Sequence, residues 1–260
     1  MKKISISTCF DYGIPIEGQL SMIQQAGFTH VSIGGKYEHS SILDERRLWS
    51  LKDMLTRNEL SVDTIHGYQM DKADTIDVNG KVVRAAGVLG APVVVLHCSG
   101  FGFKAETYES RKKDLLDKLP LFEAMAERGK IRFAFENVLP GIATDLVEYM
   151  LGAANPQYFG FCYDSAHDQI DGPRPFDLLE RLADRLIAVH ISDRIKELVD
   201  HVTPGEGFIH FDEMISLLLR ANMEFPFLLE VMTTHSKYRD PHEFLAATNQ
   251  KAIELYDQIY

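Results

Sequence analysis

Short apolar runs alternate with longer amphipathic stretches along the whole chain. Apolar, β-rich runs predict strands over Lys3–Thr8, Thr29–Ile33, Ser61–Ile65, Pro92–Leu96, Ile131–Phe135, Phe159–Tyr163, Leu186–Val189 and Pro226–Leu229. Helical spacing of apolar residues follows each of them. It predicts helices over Pro15–Ala26, Leu43–Asn58, Thr75–Leu89, Tyr108–Glu127, Ile142–Leu151, Pro175–Asp184, Phe211–Ala221 and Pro241–Leu255. Pro15 stands near the start of the first helix, and Gly27, Gly90, Gly129 and Gly152 stop four of the stretches. No hairpin signal joins two strands directly. Near-continuous apolar strands separated by helices mean a parallel sheet covered on its faces. Eight such units in 260 residues favour a closed (β/α)8 TIM barrel over an open doubly wound sheet. No Gly-x-Gly-x-x-Gly follows the first strand, which weakens the dinucleotide-binding alternative. No low-complexity linker interrupts the pattern, so residues 1–260 read as one catalytic domain.

Composition changes this picture little. Hydrophobic residues make up 45% and charged residues 25%, an ordinary globular balance. A net charge of −11 argues against a nucleic-acid partner, which needs a basic face. Cys9, Cys98 and Cys162 are widely spaced, form no CxxC pair and read as buried free thiols in a reducing compartment. The start, MKKISISTCFDYG, reads as a first strand and not as a signal peptide. No apolar stretch reaches membrane-spanning length, so the expectation is a cytoplasmic protein without a membrane partner.

The candidate chemistry lies where the apolar runs stop. Six of the eight end on His66, His97, Glu136, Asp164, His190 or Glu230. Parallel barrel strands end at one face, so these residues converge on the C-terminal rim. A lone histidine or glutamate there reads equally as a hydrogen-bonded structural residue. Glu136, Asp164, His190 and Glu230 together would desolvate and repel one another without a cation. Three carboxylates and one imidazole suit one divalent ion, Mn²⁺, Mg²⁺, Co²⁺ or Zn²⁺. No thiolate belongs to that set, which argues against a structural zinc site.

The runs FENV at 135–138, YDSAH at 163–167, VHISD at 189–193 and LLEV at 228–231 resemble the xylose isomerase-like TIM-barrel superfamily. The resemblance covers essentially the whole chain. It implies a metal-dependent isomerase or epimerase of a sugar, a sugar phosphate or a polyol ketone. Carried over from the ketose 3-epimerases, it implies Glu136, Asp164, His190 and Glu230 as metal ligands. Glu136 and Glu230 would double as acid and base on opposite faces of a cis-enediolate. Asp164 and His167 match the Asp-x-x-His pattern whose histidine contacts substrate. Dehydration of a cyclic polyol ketone is a sibling chemistry of the same centre.

The zinc-dependent AP endonucleases of the endonuclease IV type are the alternative. His66, His97, Glu136, Asp164, His167, His190, His201 and Glu230 match their positions, and HVTPGEG at 201–207 resembles their His-to-Gly-Glu-Gly segment. Val199 stands where their aspartate is expected, with Asp200 one position out of register. Single-metal sugar enzymes of the superfamily keep the same histidines and the same Gly-Glu-Gly run. That implies His66, His97, His167, His201 and Glu206 as substrate-binding residues. Glu206 reads equally as a loop brace or a plain turn. Asp193 and Arg194 read as contacts to substrate hydroxyls or as a surface ion pair, and Arg194 or Lys196 could meet a phosphate. His39 and His235 sit in loops, and Phe10, Tyr68, Phe101 and Phe103 could wall an apolar side of the pocket. Trp49 reads as exterior helix packing. The superfamily's dimers and tetramers imply a homo-oligomer by analogy alone.

Overall fold

The computed structural model describes residues 2–100, 104–221 and 225–259. Eight parallel strands form one sheet: β1 Ile4–Ser7, β2 His30–Ile33, β3 Ser61–His66, β4 Val93–His97, β5 Arg132–Glu136, β6 Phe159–Asp164, β7 Leu186–His190 and β8 Phe227–Leu229. Their order is β7-β6-β5-β4-β3-β2-β1-β8. The two ends of that order meet just beyond β7. There the Ile191 amide donates to the Leu228 carbonyl at 2.9 Å, and the Glu230 amide donates to the Ile191 carbonyl at 3.0 Å. The sheet is thus a nearly closed barrel, as the eight strand–helix units predict.

The outer layer comprises α1 Ile16–Gln25, α2 Tyr37–Ser40, α3 Glu45–Arg57, α4 Thr75–Leu89, α5 Tyr108–Gly129, α6 Ile142–Ala153, α7 Ser165–Asp168, α8 Asp177–Leu182, α9 Phe211–Arg220 and α10 Pro241–Ile259. Local chemistry explains several of their ends. Asp44 caps α3 by accepting from the Arg46 and Arg47 amides, a contact worth about 1 kcal/mol. Gly90 closes α4 in the left-handed region at φ 83°. Gly129 behaves otherwise than its stop signal suggests. It remains helical, and Lys130 takes the left-handed turn at φ 53°. A Cβ on Gly129 would lie 2.4 Å from Val83 Cγ1, so the glycine serves the packing of α5 on α4. The stretch expected as one helix over Pro175–Asp184 is the shorter α8 followed by a 3-10 turn at Ala183–Arg185. Described helices include none long and apolar enough to cross a membrane.

Strand side chains alternate between faces, and the two faces differ sharply. Phe133, Phe135, Phe159, Phe161 and Tyr163 point under the helices, where Phe122 and Phe133 meet edge to face at 5.1 Å between ring centres. The opposite face carries a separate small cluster of Val93, Val95, Ala134, Cys162, Ile187 and Ala188. By the same alternation Glu136 follows Ala134, Asp164 follows Cys162, and His190 follows Ala188 on that inner face. Small apolar residues thus floor the barrel, and the titratable residues stand above them. Phe10 is not a pocket wall: it is fully buried and stacks on Phe244 of α10 at 6.2 Å. Phe101 and Phe103 lie outside the described residues. Trp49 is 53% exposed on α3, on the exterior. Cys98 and Cys162 are buried and Cys9 half-buried, all three as free thiols.

Candidate metal centre

The strand ladder runs through the titratable residues instead of stopping before them. His66, His97, Glu136, Asp164 and His190 are each the last residue of a strand, and Glu230 follows β8 directly. His97 pairs in register with Glu136, and Asp164 with His190. One ligand atom from each of Glu136, Asp164, His190 and Glu230 lies within 4.8 Å of the others. Glu136 and Asp164 are fully buried, His190 nearly so, and the Glu230 side chain is 12% exposed toward the rim. His190 Nδ1 lies 2.8 Å from Glu230 Oε2 and 3.3 Å from Glu136 Oε1.

A ring of imidazoles surrounds these four. His97 Nε2 is 3.1 Å and His66 Nε2 3.5 Å from Glu136 Oε2, and His167 Nδ1 is 3.3 Å from Glu136 Oε1. His201 Nε2 stands 3.8 Å from Asp164 Oδ2 and 3.9 Å from Glu230 Oε2. The four histidines expected around substrate therefore converge with the four candidate carboxylate and imidazole ligands. Short-range chemistry holds them there. Asp164 caps α7 by accepting from the His167 amide at 2.7 Å, which swings that ring inward. His167 Nδ1 also lies 3.0 Å from the Asn137 carbonyl.

Asn137 is a site residue that the sequence motifs do not single out. Its amide clasps the Asp164 backbone in both directions, at 2.9 and 2.8 Å, and so ties the end of β5 to the end of β6. Its signal in the sequence is the position directly after a strand-end glutamate. Cys162 is a second addition. Sequence alone leaves thiols out of the ligand set, yet Cys162 lies within 4.8 Å of ligand atoms of Glu136 and His190. Two-residue alternation from Asp164 would have placed it. Burial pushes this thiol up to about 12, so it meets the centre as a neutral group.

The electrostatics are those of a charge cluster compensated internally. Burial pushes the Glu136 carboxyl up, but His190, His97 and His167 outweigh it and hold the group well below the usual range. At Glu230 the same contest, against His190 chiefly, leaves the carboxyl at about 2. Burial dominates at Asp164, which is raised despite His167 and His201. Burial opposes charge on His167, but Asp164 and Glu136 push it up to about 9.

The residues fit a divalent cation. Glu136 Oε1, Glu136 Oε2, Asp164 Oδ2 and His190 Nδ1 are buried and lack a hydrogen-bond partner, although each lies at ion-pair distance from a neighbouring charged or imidazole group. Buried polar atoms are ordinarily satisfied, and converging lone pairs are satisfied by a cation. Beside the group with Cys162, two others among the described residues share these carboxylates: His66–His97–Glu136 and Asp164–His167–His201.

Other expected residues take different places. Glu206 binds the Ser236 hydroxyl at 2.8 Å and the Lys237 amide at 3.2 Å, bracing the loop after β8. Asp193 and Arg194 form no surface pair, because both are buried. Arg194 spends its guanidinium on Ala166, Lys196 and Asp200, while Lys196 is exposed. His39 Nε2 lies 2.7 Å from the Ile14 carbonyl. His235 is half-buried in the loop after β8. The half-buried Tyr68 has its backbone held from both sides by the Asn79 amide at 2.9 Å.

Comparison with known proteins agrees with this architecture. Inosose dehydratase 1 of Bacillus cereus is 22% identical over 254 residues, covering 84% of this chain and 82% of that protein. The crystal structure of the IOLI protein with a zinc atom superposes with a TM-score of 0.82 at 16% identity, covering 99% of both chains. The 3-keto-D-glucoside 4-epimerase YcjR of E. coli superposes with a TM-score of 0.77 at 16% identity, covering 99% of this chain and all of that one. At such identities the structural likeness carries the fold. The family described as xylose isomerase-like TIM barrel matches residues 20–248. That match spans most of the molecule, and the chain belongs to this family.

Proposed function

We propose that the protein is a divalent-metal-dependent isomerase or epimerase of a sugar, a sugar phosphate or a polyol ketone, with residues 1–260 working as one catalytic domain. The observation that supports this most is the group of orphaned donors at Glu136, Asp164 and His190, completed by Glu230. These four would hold the ion. When bound, it would polarise a substrate carbonyl and its neighbouring hydroxyl and acidify the C–H between them. The protein's own groups then move protons. Glu136 and Glu230 are both held in the ionised form, so each starts as an acceptor. One takes the proton from carbon, giving a cis-enediolate; the other, after taking up a proton from solvent, delivers it to the opposite face, and the first releases its proton to solvent to reset the site. Return to the neighbouring carbon gives isomerisation, and loss of a β-hydroxyl gives dehydration, the activity named for the Bacillus relatives. His66, His97, His167 and His201 present ring nitrogens to substrate hydroxyls. Glu206 reaches substrate only through the loop it braces. The expected partner is a small sugar-like molecule, with neither nucleic acid nor membrane.

A zinc phosphodiesterase of the AP endonuclease type is the second reading, and one observation favours it. The three ligand groups are joined through Glu136 and Asp164, as a multinuclear centre requires. Asp200 speaks against it, because its carboxylate turns to Arg194 and His201 Nδ1 and leaves the third group with three donors. Incubation with ketoses, ketose phosphates and inososes in heavy water, with Mn²⁺, Co²⁺, Mg²⁺ or Zn²⁺, tests the first reading. Deuterium at the carbon next to the carbonyl is the expected result. Cleavage of an abasic DNA duplex by protein carrying about three zinc ions per chain, without exchange on any sugar, would overturn it.

A further inference from the structure

We infer that Asp200, backed by Arg194, is a positioning residue that fixes the His201 imidazole so that Nε2 faces the space between Asp164 and Glu230. The role in turnover rests on the proposed sugar chemistry; the positioning itself does not.

Three observations carry the inference. The first is a linear arrangement. Arg194 is 1% exposed, its Nε donates to the Ala166 carbonyl at 2.8 Å, and its Nη2 donates to Asp200 Oδ2 at 2.5 Å. Asp200 Oδ1 then lies 3.1 Å from His201 Nδ1, and His201 Nε2 points at the oxygens of Asp164 and Glu230. A guanidinium fixed in the wall thus holds a carboxylate, which stands at ion-pair distance behind an imidazole's rear nitrogen. A carboxylate 3.1 Å from Nδ1 favours the proton on that nitrogen and so leaves the Nε2 lone pair toward the site.

The second is the backbone. His201 has φ 53°, a left-handed conformation uncommon for a residue with a side chain, and its carbonyl accepts from the Met232 amide at 2.6 Å. The chain adopts this conformation at the residue whose ring enters the site.

The third is that the loop has a separate anchor. The Asp193 carboxylate accepts from the backbone amides of Arg194, Gly205 and Gly207, each at 2.8 Å, and of Ile209 at 3.1 Å. Gly207 lies so close to this anchor that a Cβ would stand 2.0 Å from the Arg194 carbonyl oxygen. The loop is therefore fixed without Asp200, whose carboxylate is left to serve Arg194 and His201. The same geometry explains the shifted aspartate. Val199 replaces the acid expected two residues before the histidine, and Asp200 stands behind the ring instead of beside it.

The test uses imidazole ¹⁵N spectra of the zinc-loaded protein at about pH 8, together with kinetics on any substrate found above. His201→Gln assigns the His201 signals. Wild type is expected to show a single His201 tautomer protonated at Nδ1, and Asp200→Asn a mixture of tautomers with the fold intact. Asp200→Ala leaves the buried guanidinium unpaired and can unfold, which is why the amide is the decisive variant. Loss of the charged contact behind the ring predicts a KM about three- to tenfold higher for Asp200→Asn, with kcat changed less. The double variant Asp200→Asn/His201→Gln is expected to match His201→Gln alone, because the aspartate acts through that ring. An unchanged single tautomer in Asp200→Asn, or additive effects in the double variant, would overturn the inference. A wild type that turns over no sugar or polyol leaves the tautomer result standing and removes the proposed function instead.

Discussion

The two ends of the barrel each hold a buried carboxyl, and they treat it oppositely. At the C-terminal rim Glu136 is fully buried among imidazoles and is held ionised. At the N-terminal mouth Asp63 is 4% exposed, its Oδ1 lacks a hydrogen-bond partner, and burial pushes it up to about 6. The mouth opens on a cavity of about 750 Å³ lined by Lys3, His30, Asp63 and Arg132 among apolar residues. Burial by itself neutralises a carboxyl, as at Asp63, and it still dominates at Asp164 beside two imidazoles; only at Glu136 and Glu230 do the imidazoles outweigh it and keep the charge that suits a cation.

Removing the charge at the rim should show the greatest effect. Glu136→Gln takes away the carboxylate shared by His66, His97, His167 and His190. Turnover should fall by about 10²- to 10⁴-fold, the range for a lost acid–base group, with the circular dichroism of the barrel retained. Substantial residual proton exchange would erase the contrast between the ends.

The same isosteric change at the mouth should act on stability alone. The folded-state value of Asp63 is raised from 3.8 to about 6. Its contribution to stability is therefore complete below 3.8 and is lost as pH rises through 6. The loss amounts to at most about 3 kcal/mol. Asp63→Asn does not ionise, so urea melts should show it gaining on wild type by up to that amount between about pH 4 and 7. Turnover should stay within about twofold of wild type. A parallel pH dependence in the two proteins would mean that the mouth compensates its carboxyl as the rim does.

Ion removal should give a slightly smaller shift, confined to the rim. Free ion at about a hundred times its dissociation constant stabilises by about 2.7 kcal/mol, so chelation should lower Tm by several degrees. Zinc or manganese should restore it in wild type and fail to do so in Glu136→Gln. Equal restoration in both would place the ion elsewhere.

The barrel and the rim's titratable residues are legible in the sequence, Asp63 at the mouth is not, and the omissions have physical causes. Eight apolar runs separated by helical spacing suffice for the barrel, because a buried parallel strand has few alternatives. The runs end one residue early at His66, His97, Glu136, Asp164 and His190, since a polar residue that continues a ladder looks like a stop. α2 and α7 escape notice because four residues cannot display a helical period. Glu136, Asp164, His190 and Glu230 are legible because parallel strands end together. Asn137 and Cys162 are less so, since one acts through its amide and the other through its strand face. Asp193 and Arg194 look like surface charges because sequence records charge and not burial. Their burial follows from amides of Gly205, Gly207 and Ile209 folding back onto Asp193.

The closure between β7 and β8 has a mechanical consequence. Two hydrogen bonds around Ile191 are a short seam beside the ladders elsewhere in the sheet, so local opening of the barrel should begin there. His190 ends one side of the seam and Glu230 begins the other. An ion held by both would act as a rivet across the least reinforced joint, making the integrity of the scaffold and the occupancy of its centre a single property.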